Sequence, residues 1–267
     1  MTLVSIETSA QNISPLLNLH WQIAGQLPPS PGQTTSLGFA GPVAGVHNNV
    51  LLVGGGANFP AGMPWEGGQK KYYDEVFAYR IAAGKLLPIE SIGHLPQKIA
   101  YAASCSTAGG ILYAGGENET GISDKVQLVK WDEAGQKINV AELNSLPIPL
   151  TNAGITVYNN IVYLAGGETI NGASRQFYCL DLEKPSAGWK TLQAMPIAVS
   201  HMVLIAGTNK KGGMIYMVGG RKKNADGISE LYSSCYAFDI DVFACLRTEG
   251  GMYSFVPITA TSEVPFS

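Results

Sequence analysis

The chain has 267 residues and a formal net charge of −3, with 46% hydrophobic and 14% charged residues. This balance predicts a large buried core and excludes the basic footprint of a nucleic-acid-binding protein. No apolar run approaches the roughly 18 residues of a membrane span. Residues 1–19 lack the basic start and apolar stretch of a signal peptide, which favours the cytoplasm; a periplasmic protein without its leader would have the same sequence features.

One pattern, an apolar strand that ends in a glycine pair, recurs four times along the chain. The pairs are Gly54-Gly55, Gly115-Gly116, Gly166-Gly167 and Gly219-Gly220. They recur at intervals of roughly fifty to sixty residues, and a double glycine at such a period is the signature of kelch repeats. The repeats therefore predict an all-β fold, a kelch-type β-propeller in which about four blades are recognisable.

Each repeat divides into four predicted strands. The first is made of small and apolar residues, at 38–46, 100–105, 153–158 and 200–205. The second is the apolar run before the glycine pair, whose continuous apolarity predicts burial on both faces. The third alternates in polarity, which predicts half-buried strands at 75–79, 125–129, 176–181 and 234–239. The fourth is short and ends in a proline pair: Leu95-Pro96, Leu146-Pro147 or Met195-Pro196.

Two segments lie outside this pattern. Residues 21–28 have the features of a fourth strand before any first strand. In a closed propeller such a strand completes a blade whose other three strands come from the C-terminus, but the C-terminus here does not supply the matching blade. After Asp239 the tail supplies at most an outer strand for the fourth blade, because Gly250-Gly251 follows no apolar strand. We therefore interpret residues 1–19 as an N-terminal extension and residues 20–267 as the propeller.

The cysteines do not form a metal-binding pattern. None of the four is closely paired as in C-x-x-C, so a zinc site is not predicted. Cys105, Cys179 and Cys235 lie within apolar strand patterns, and we expect them to pack as small hydrophobic residues.

Several segments are more specific than the glycine pairs. They are Gly38-Phe39-Ala40-Gly41, the Ala-Asn-Phe-Pro loop at 57–60, the Lys-Lys-Tyr-Tyr segment at 70–73, Gly115-Gly116-Glu117, and 219–227. Over roughly residues 20–240 the chain resembles the kelch-type sialic acid mutarotases, the N-acetylneuraminate epimerases, in their cyclically permuted branch. The resemblance implies a six-bladed propeller that interconverts the α and β anomers of N-acetylneuraminate, or of a similar acidic sugar, without metal or other cofactor.

By repeat order, the four blades resemble the fifth, sixth, first and second of the unpermuted enzyme. The family's catalytic glutamate and arginine lie in a Gly-Glu loop of the fourth blade, which this order places outside the chain. Glu168 and Arg175 follow Gly166-Gly167 and are locally similar to that loop. We expect a longer reading frame with further glycine-pair repeats.

Mutarotation moves one proton onto the ring oxygen and takes one from the anomeric hydroxyl, and an arginine can hold the sugar carboxylate. The loops after the inner strands carry suitable groups. We predict as catalytic residues Glu168, Arg175 and Glu117, and as substrate-binding residues Asn58, Asn118, Arg221, His201 and Tyr72. Structural roles are the alternative for each: carboxylates that accept backbone N–H groups, solvated arginines, a core histidine and a tyrosine packed between blades.

Three functional alternatives remain open: an enzyme, a non-catalytic kelch module that binds carbohydrate or protein, and a truncated chain that lacks the catalytic blade. The expected partner is a small acidic sugar, with no nucleic acid or membrane. An open arc of four blades would leave apolar faces in water, so we expect homo-oligomers through the exposed blade edges.

Overall fold

The computed structural model describes residues 21–29, 34–209, 212–240 and 255–257. Within these residues the strands form four four-stranded sheets and four two-stranded hairpins, and helical structure is limited to two 3-10 turns, η1 (Pro64–Glu66) and η2 (Pro185–Ala187). Each sheet with its hairpin is one blade of a kelch-type β-propeller, which confirms the predicted fold class. The described part of the chain contains no helix long and apolar enough to span a membrane.

Each blade contains six strands in chain order. The first has β1 (Val43–His47), β2 (Val50–Gly54), β3 (Ala57–Asn58), β4 (Lys71–Tyr72), β5 (Glu75–Ala82) and β6 (Lys85–His94). The second has β7 (Ala103–Thr107), β8 (Gly110–Ala114), β9 (Glu117–Asn118), β10 (Gly121–Ile122), β11 (Val126–Asp132) and β12 (Lys137–Leu143). The third has β13 (Gly154–Tyr158), β14 (Ile161–Ala165), β15 (Glu168–Thr169), β16 (Gly172–Ala173), β17 (Phe177–Asp181) and β18 (Lys190–Thr191). The fourth has β19 (Val203–Asn209), β20 (Gly212–Val218), β21 (Arg221–Lys223), β22 (Ser229–Leu231), β23 (Cys235–Ile240) and β24 (Phe255–Pro257).

In every blade the first, second, fifth and sixth strands form the antiparallel sheet in that order, and the third and fourth strands form the hairpin. The second strand is central, as its apolar sequence predicts. All five residues of β8 and of β14 are buried, because these strands belong to the two middle blades and have a neighbouring blade on each face. In β2 and β20, which belong to the first and last described blades, burial is incomplete.

The core consists of clusters between successive blades. Leu52 packs in one cluster with Tyr113, Leu112 in the next with Leu164, and Tyr163 in the third with Ile215 and Phe238. Among the described residues, none of these clusters joins the fourth blade to the first. The blades are therefore held in chain order by apolar contacts between their broad faces.

The first strands begin later than predicted in all four blades, and by only one residue at β13. β1 begins at Val43 rather than at 38, β7 at Ala103 rather than at 100, and β19 at Val203 rather than at 200. The residues before each strand form a single bridge and then a residue with positive φ, which interrupts the extended backbone. The predicted proline pairs lie beyond the ends of the fourth strands. Their apolar members, Leu95, Leu146 and Met195, are buried.

The prediction for the N-terminal segment is wrong. Residues 21–29 form no strand and lie along the first blade, where the N–H of Leu86 donates to the Ala24 carbonyl at 3.1 Å and the Tyr79 hydroxyl to the Gln26 carbonyl at 3.0 Å. The outer strand expected for the fourth blade is confirmed, because β24 pairs with β23. The proposed extension and Gly250-Gly251 lie outside the described residues.

The prediction that cysteines pack as hydrophobic residues is confirmed for Cys105 and Cys179, which lie in the clusters between blades. Cys105 and Cys235 are half-buried free thiols. Cys179 is fully buried and is also disulfide-bonded, for which its apolar flanks gave no signal.

Candidate functional site

Four equivalent residues, one before the first strand of each blade, form an inner ring: Gly41, Tyr101, Asn152 and His201. All have positive φ, between 54° and 60°. Backbone hydrogen bonds link them from blade to blade: the N–H groups of Tyr101, Asn152 and His201 donate to the preceding member's carbonyl at 2.7, 2.9 and 3.0 Å. A cavity of about 440 Å³ lies on this ring, lined also by Ala102, Ala153 and Met202.

The residue that follows each glycine pair, or in the first blade the run Gly54-Gly55-Gly56, lies next to this ring. A single antiparallel bridge joins it to the residue that precedes the ring member. The four bridges are Ala40 with Ala57, Ala100 with Glu117, Thr151 with Glu168, and Ser200 with Arg221. The fold therefore places three of the predicted residues, Glu117, Glu168 and Arg221, at equivalent positions of three successive blades.

Four polar side chains from the third and fourth blades meet at the ring and are called the Glu168 cluster: Glu168, Ser200, His201 and Arg221. The buried Ser200 hydroxyl donates to Glu168 Oε1 at 2.6 Å. His201 Nδ1 lies 3.0 Å from Ser200 Oγ and accepts from Arg221 Nε at 3.2 Å. His201 Nδ1 and Arg221 Nη2 each lie 3.8 Å from Glu168 Oε1, which is ion-pair rather than hydrogen-bond distance.

The electrostatics of this cluster favour a neutral imidazole. Burial and the positive charge of Arg221 lower the pKa of His201, and the negative charges of Glu168 and Glu117 offset this in part. Glu168 and His201 keep 25% and 37% of their side chains exposed, and His201 also lines the cavity. The cluster thus offers a carboxylate, a neutral imidazole and a guanidinium within one site.

A second group, the Glu117 cluster, consists of Glu117, Tyr72, Lys70 and Tyr101. Glu117 Oε1 accepts from the Tyr72 hydroxyl at 2.8 Å and from Lys70 Nζ at 3.2 Å. Lys70 Nζ also lies 5.4 Å and 5.0 Å from the ring centroids of Tyr72 and Tyr101, within cation–π range. Burial and the bond to Glu117 raise the pKa of Tyr72. Burial alone would lower the pKa of Lys70, but its hydrogen bond to Glu117 and that carboxylate's charge raise it.

Three other predicted residues take part in local structure. The Asn58 amide donates to the Gly38 carbonyl at 2.9 Å and accepts from the Tyr73 hydroxyl at 2.8 Å. Asn118 donates to the Lys98 carbonyl at 3.0 Å and accepts from Thr120. Arg175 Nε donates to the Met195 carbonyl at 2.6 Å, and among the described residues no hydrogen bond or ion pair joins its guanidinium to the Glu168 cluster.

Sequence reasoning missed Ser200, Tyr101, Lys70 and Asn152 as members of the site. Ser200 and Tyr101 fell within the predicted first strands, where their special backbone was not anticipated. A signal was available, because His201 was identified and alignment of the repeats assigns Tyr101 and Asn152 to the same position. Within the described residues, no group of three or more His, Cys, Asp or Glu side chains could hold a metal ion.

Known proteins resemble part of this chain. The family model of N-acetylneuraminate epimerase matches residues 3–140. The N-acetylneuraminate epimerase of Vibrio vulnificus (strain YJ016) is 40% identical over 119 residues, which are 41% of this chain and 30% of the relative. That of Brucella melitensis biotype 1 is 37% identical over 123 residues, 42% of this chain and 30% of the relative. The chain thus spans about a third of the length of these curated relatives.

A solved structure described as the structure of YjhT matches with a TM-score of 0.55 at 14% identity, covering 74% of this chain and 68% of that one. At this identity the match supports the fold alone. The family-model match includes the Glu117 cluster and ends before the Glu168 cluster, which therefore depends on its own geometry for any functional argument.

Proposed function

The chain belongs to the N-acetylneuraminate epimerase family, and on this premise we propose that it interconverts the α and β anomers of N-acetylneuraminate or of a similar acidic sugar. We place the reaction at the cavity on the inner ring. The observation that carries the proposal is the Glu168 cluster, in which a carboxylate, an imidazole and a guanidinium from two successive blades meet beside that cavity.

The chemistry needs few groups. To open the sugar ring, a base takes the proton of the anomeric hydroxyl while the ring oxygen gains one, and the bond between the anomeric carbon and the ring oxygen breaks. Closure on the other face of the carbonyl reverses these transfers and gives the second anomer. We assign the base to Glu168, because it combines an exposed carboxylate oxygen with the fixed Ser200 hydroxyl.

Arg221 is the proposed partner of the sugar carboxylate. A guanidinium can bind a carboxylate through two parallel N–H groups. In this role Arg221 replaces Arg175, whose guanidinium is held by the Met195 carbonyl. We assign Glu117 to the neighbouring wall of the cavity, because Lys70 and Tyr72 both already donate to it.

The test supplies the sugar as its α anomer and follows the anomeric NMR signals with and without protein. We expect interconversion faster than the spontaneous rate, and a loss of about 10²-fold or more in Glu168→Gln. The matched control is Glu133→Gln, because Glu133 is a surface carboxylate paired with Arg80 away from the ring.

A rate equal to the spontaneous one with sugar binding retained would contradict catalysis and favour the non-catalytic kelch module. Loss of both rate and binding in a folded protein would favour an incomplete site. Equal losses in Glu168→Gln and Glu133→Gln would remove Glu168 from the proposed role.

We also propose self-association through the outer face of the fourth blade. Val203, Ile205 and Val218 lie together on β19 and β20 and are 59%, 53% and 42% exposed. In the middle blades such faces are covered by the next blade, so a second copy could bury this one.

Light scattering should show an association that Ile205→Lys weakens and that Ile170→Lys, at an exposed hairpin residue, leaves intact. A wild-type protein that stays monomeric at every concentration would contradict the proposal.

For the compartment, we propose the periplasm rather than the cytoplasm. The disulfide at Cys179 supports this assignment, because disulfides persist in oxidising compartments and are rare in the cytosol. Alkylation of intact cells before and after reduction tests it. A Cys179 thiol that reacts without prior reduction would contradict it.

A further inference from the structure

His201 has one ring nitrogen in contact with the rest of the Glu168 cluster. Nδ1 lies 3.2 Å from Arg221 Nε and 3.0 Å from Ser200 Oγ. No described residue is a hydrogen-bond partner of Nε2. Because His201 lines the cavity while its Nδ1 edge is occupied, Nε2 is the nitrogen available to a ligand.

Arg221 determines which nitrogen carries the proton. A guanidinium has five N–H donors, has no acceptor and remains protonated in proteins. Its Nε–H can therefore bond to His201 only if Nδ1 keeps its lone pair. In a neutral imidazole that has an acceptor at one nitrogen, the proton must be on the other.

We infer that Arg221 fixes His201 as the Nε2–H tautomer, so that the imidazole presents a hydrogen-bond donor, and not a base, to the cavity. The ligand atom it recognises is then an acceptor oxygen. The tautomer is independent of the proposed function, whereas the assignment of the acceptor to an acidic sugar rests on it.

The opposite tautomer has a specific cost. An N–H at Nδ1 would face the Nε–H of Arg221, two donors 3.2 Å apart, and the hydrogen bond between the two side chains would be lost. Ser200 Oγ could accept from Nδ1–H, but Glu168 Oε1 is 3.8 Å from Nδ1 and too distant to do so. Because the Ser200 hydroxyl donates to Glu168 at 2.6 Å, its Oγ offers an N–H at Nδ1 a neutral acceptor at 3.0 Å. The bond from the Arg221 guanidinium is charge-assisted and therefore the stronger of the two, and it requires the lone pair at Nδ1.

Protonation to the imidazolium meets the same obstacle, because it also places an N–H at Nδ1. The charged groups around the ring are Arg221 on β21, Glu168 on β15 and Glu117 on β9. Burial and Arg221 lower the pKa of His201 against the opposing effect of the two carboxylates, which is consistent with a neutral ring.

This inference divides the roles in the cluster. His201 Nε2–H and the Arg221 guanidinium are both donors, so together they suit the oxygens of a carboxylate or a carbonyl. Glu168 is then the proton acceptor of the cluster. Arg221 acts on His201 as a positioning residue in addition to any direct contact with ligand.

The direct test is long-range ¹H–¹⁵N correlation NMR of the histidine rings in the labelled full chain at neutral pH. The chain has four histidines, and His201→Gln identifies the signals of His201 by their loss. We expect an unprotonated Nδ1 and a protonated Nε2. A proton on Nδ1 in the wild-type protein would overturn the inference without any recourse to variants.

Arg221→Met removes the donor and keeps a side chain of similar length. We expect its His201 signals to move toward a mixture of tautomers, while Arg80→Met, on the outer part of the first blade, leaves them as in the wild type. An unchanged tautomer in folded Arg221→Met would show that Arg221 does not fix it.

The ligand part has its own readout. Calorimetry with N-acetylneuraminate should give about tenfold tighter binding for His201→Gln, which retains an N–H donor, than for His201→Met, which has none. Equal affinities of the two variants would overturn the donor role. The expected tautomer together with absent anomer interconversion would instead refute the proposed function alone.

Discussion

Gly166, the first glycine of the third pair, offers the sharpest test of how the blades position the site. It has φ +67°, and a Cβ added there would lie 2.5 Å from the Val199 carbonyl oxygen. Ordinary van der Waals contact would require at least 3.4 Å. The same carbonyl accepts from the N–H of Gly167 at 3.0 Å, and Val199 directly precedes Ser200. The Gly166→Ala substitution therefore displaces the segment that carries the Ser200 hydroxyl.

Gly219 supplies a matched control within the same motif. It has φ +64°, but a Cβ there would lie 3.3 Å from its nearest neighbour, the Tyr232 carbonyl oxygen. Both substitutions share the cost of a left-handed alanine, about 1–2 kcal/mol, and the same gain from a less flexible unfolded chain. Gly166→Ala adds overpacking of about 1–3 kcal/mol and a weakened hydrogen bond of about 0.5–1.5 kcal/mol. Its free energy of unfolding should therefore fall about 2–4 kcal/mol further than that of Gly219→Ala.

Urea unfolding followed by tryptophan fluorescence measures both variants under the same conditions. If the two lose equal stability, the requirement for glycine comes from φ alone and not from the approach of the next blade. Contact with the next blade would then be refuted as the reason for glycine at this position, and the description of the fold would be unaffected.

Three further predictions concern single side chains. Tyr72→Phe should lower the free energy of unfolding by about 1.5–3 kcal/mol, because the Tyr72 hydroxyl donates to the charged Glu117. Tyr73→Phe loses a hydrogen bond to the neutral Asn58 and should lower it by about 0.5–1.5 kcal/mol. Equal losses of the two variants in denaturant titrations would contradict this prediction. Hydrogen bonds from Arg80 and Trp131 lower the pKa of Glu133 from 4.5. The stability that Glu133 contributes is therefore present above pH 4.5 and is lost as pH falls through the folded-state pKa. Glu133→Gln should reduce this loss of stability in acid, and an unchanged dependence of stability on pH would contradict the prediction. Because the pKa of His201 is lowered from 6.5 in the folded protein, the unfolded chain binds the proton more readily, and the free energy of unfolding falls as pH drops below 6.5. His201→Gln should reduce that fall. A steeper fall in the variant would show that the pKa shift has the opposite direction.

The strand pattern could be predicted because it depends on local information. Apolar runs such as Ile161–Ala165 report burial on both faces. The half-buried strand predicted at 176–181 is wrong in its burial, because Phe177, Tyr178, Cys179 and Leu180 are all buried. The boundaries of the first strands could not be predicted, because the interruption at residues such as Tyr101 and His201 is imposed by hydrogen bonds from the neighbouring blade. No local propensity makes a tyrosine adopt positive φ.

The candidate site was predictable in part for the same reason. Glu117, Glu168 and Arg221 follow glycine pairs, so their positions next to the inner ring follow from the repeat itself. Their partners come from another blade: Lys70 reaches Glu117 from the first, and Ser200 reaches Glu168 from the fourth. Arg175 differs, because its position after a glycine pair suggested a role at the inner ring, whereas its Nε donates to the Met195 carbonyl of its own blade.

Repetition with local variation accounts for how such a site arises on this fold. Four blades place one residue each at the position after the glycine pair, and the backbone there is nearly the same in all of them. The side chains are Ala57, Glu117, Glu168 and Arg221, so one apolar, two acidic and one basic group occupy equivalent places around one cavity. The ring members vary in parallel, from Gly41 to His201. Because the scaffold is held by inter-blade hydrogen bonds that do not depend on these side chains, changes such as His201→Gln should alter chemistry at the cavity with little effect on its shape.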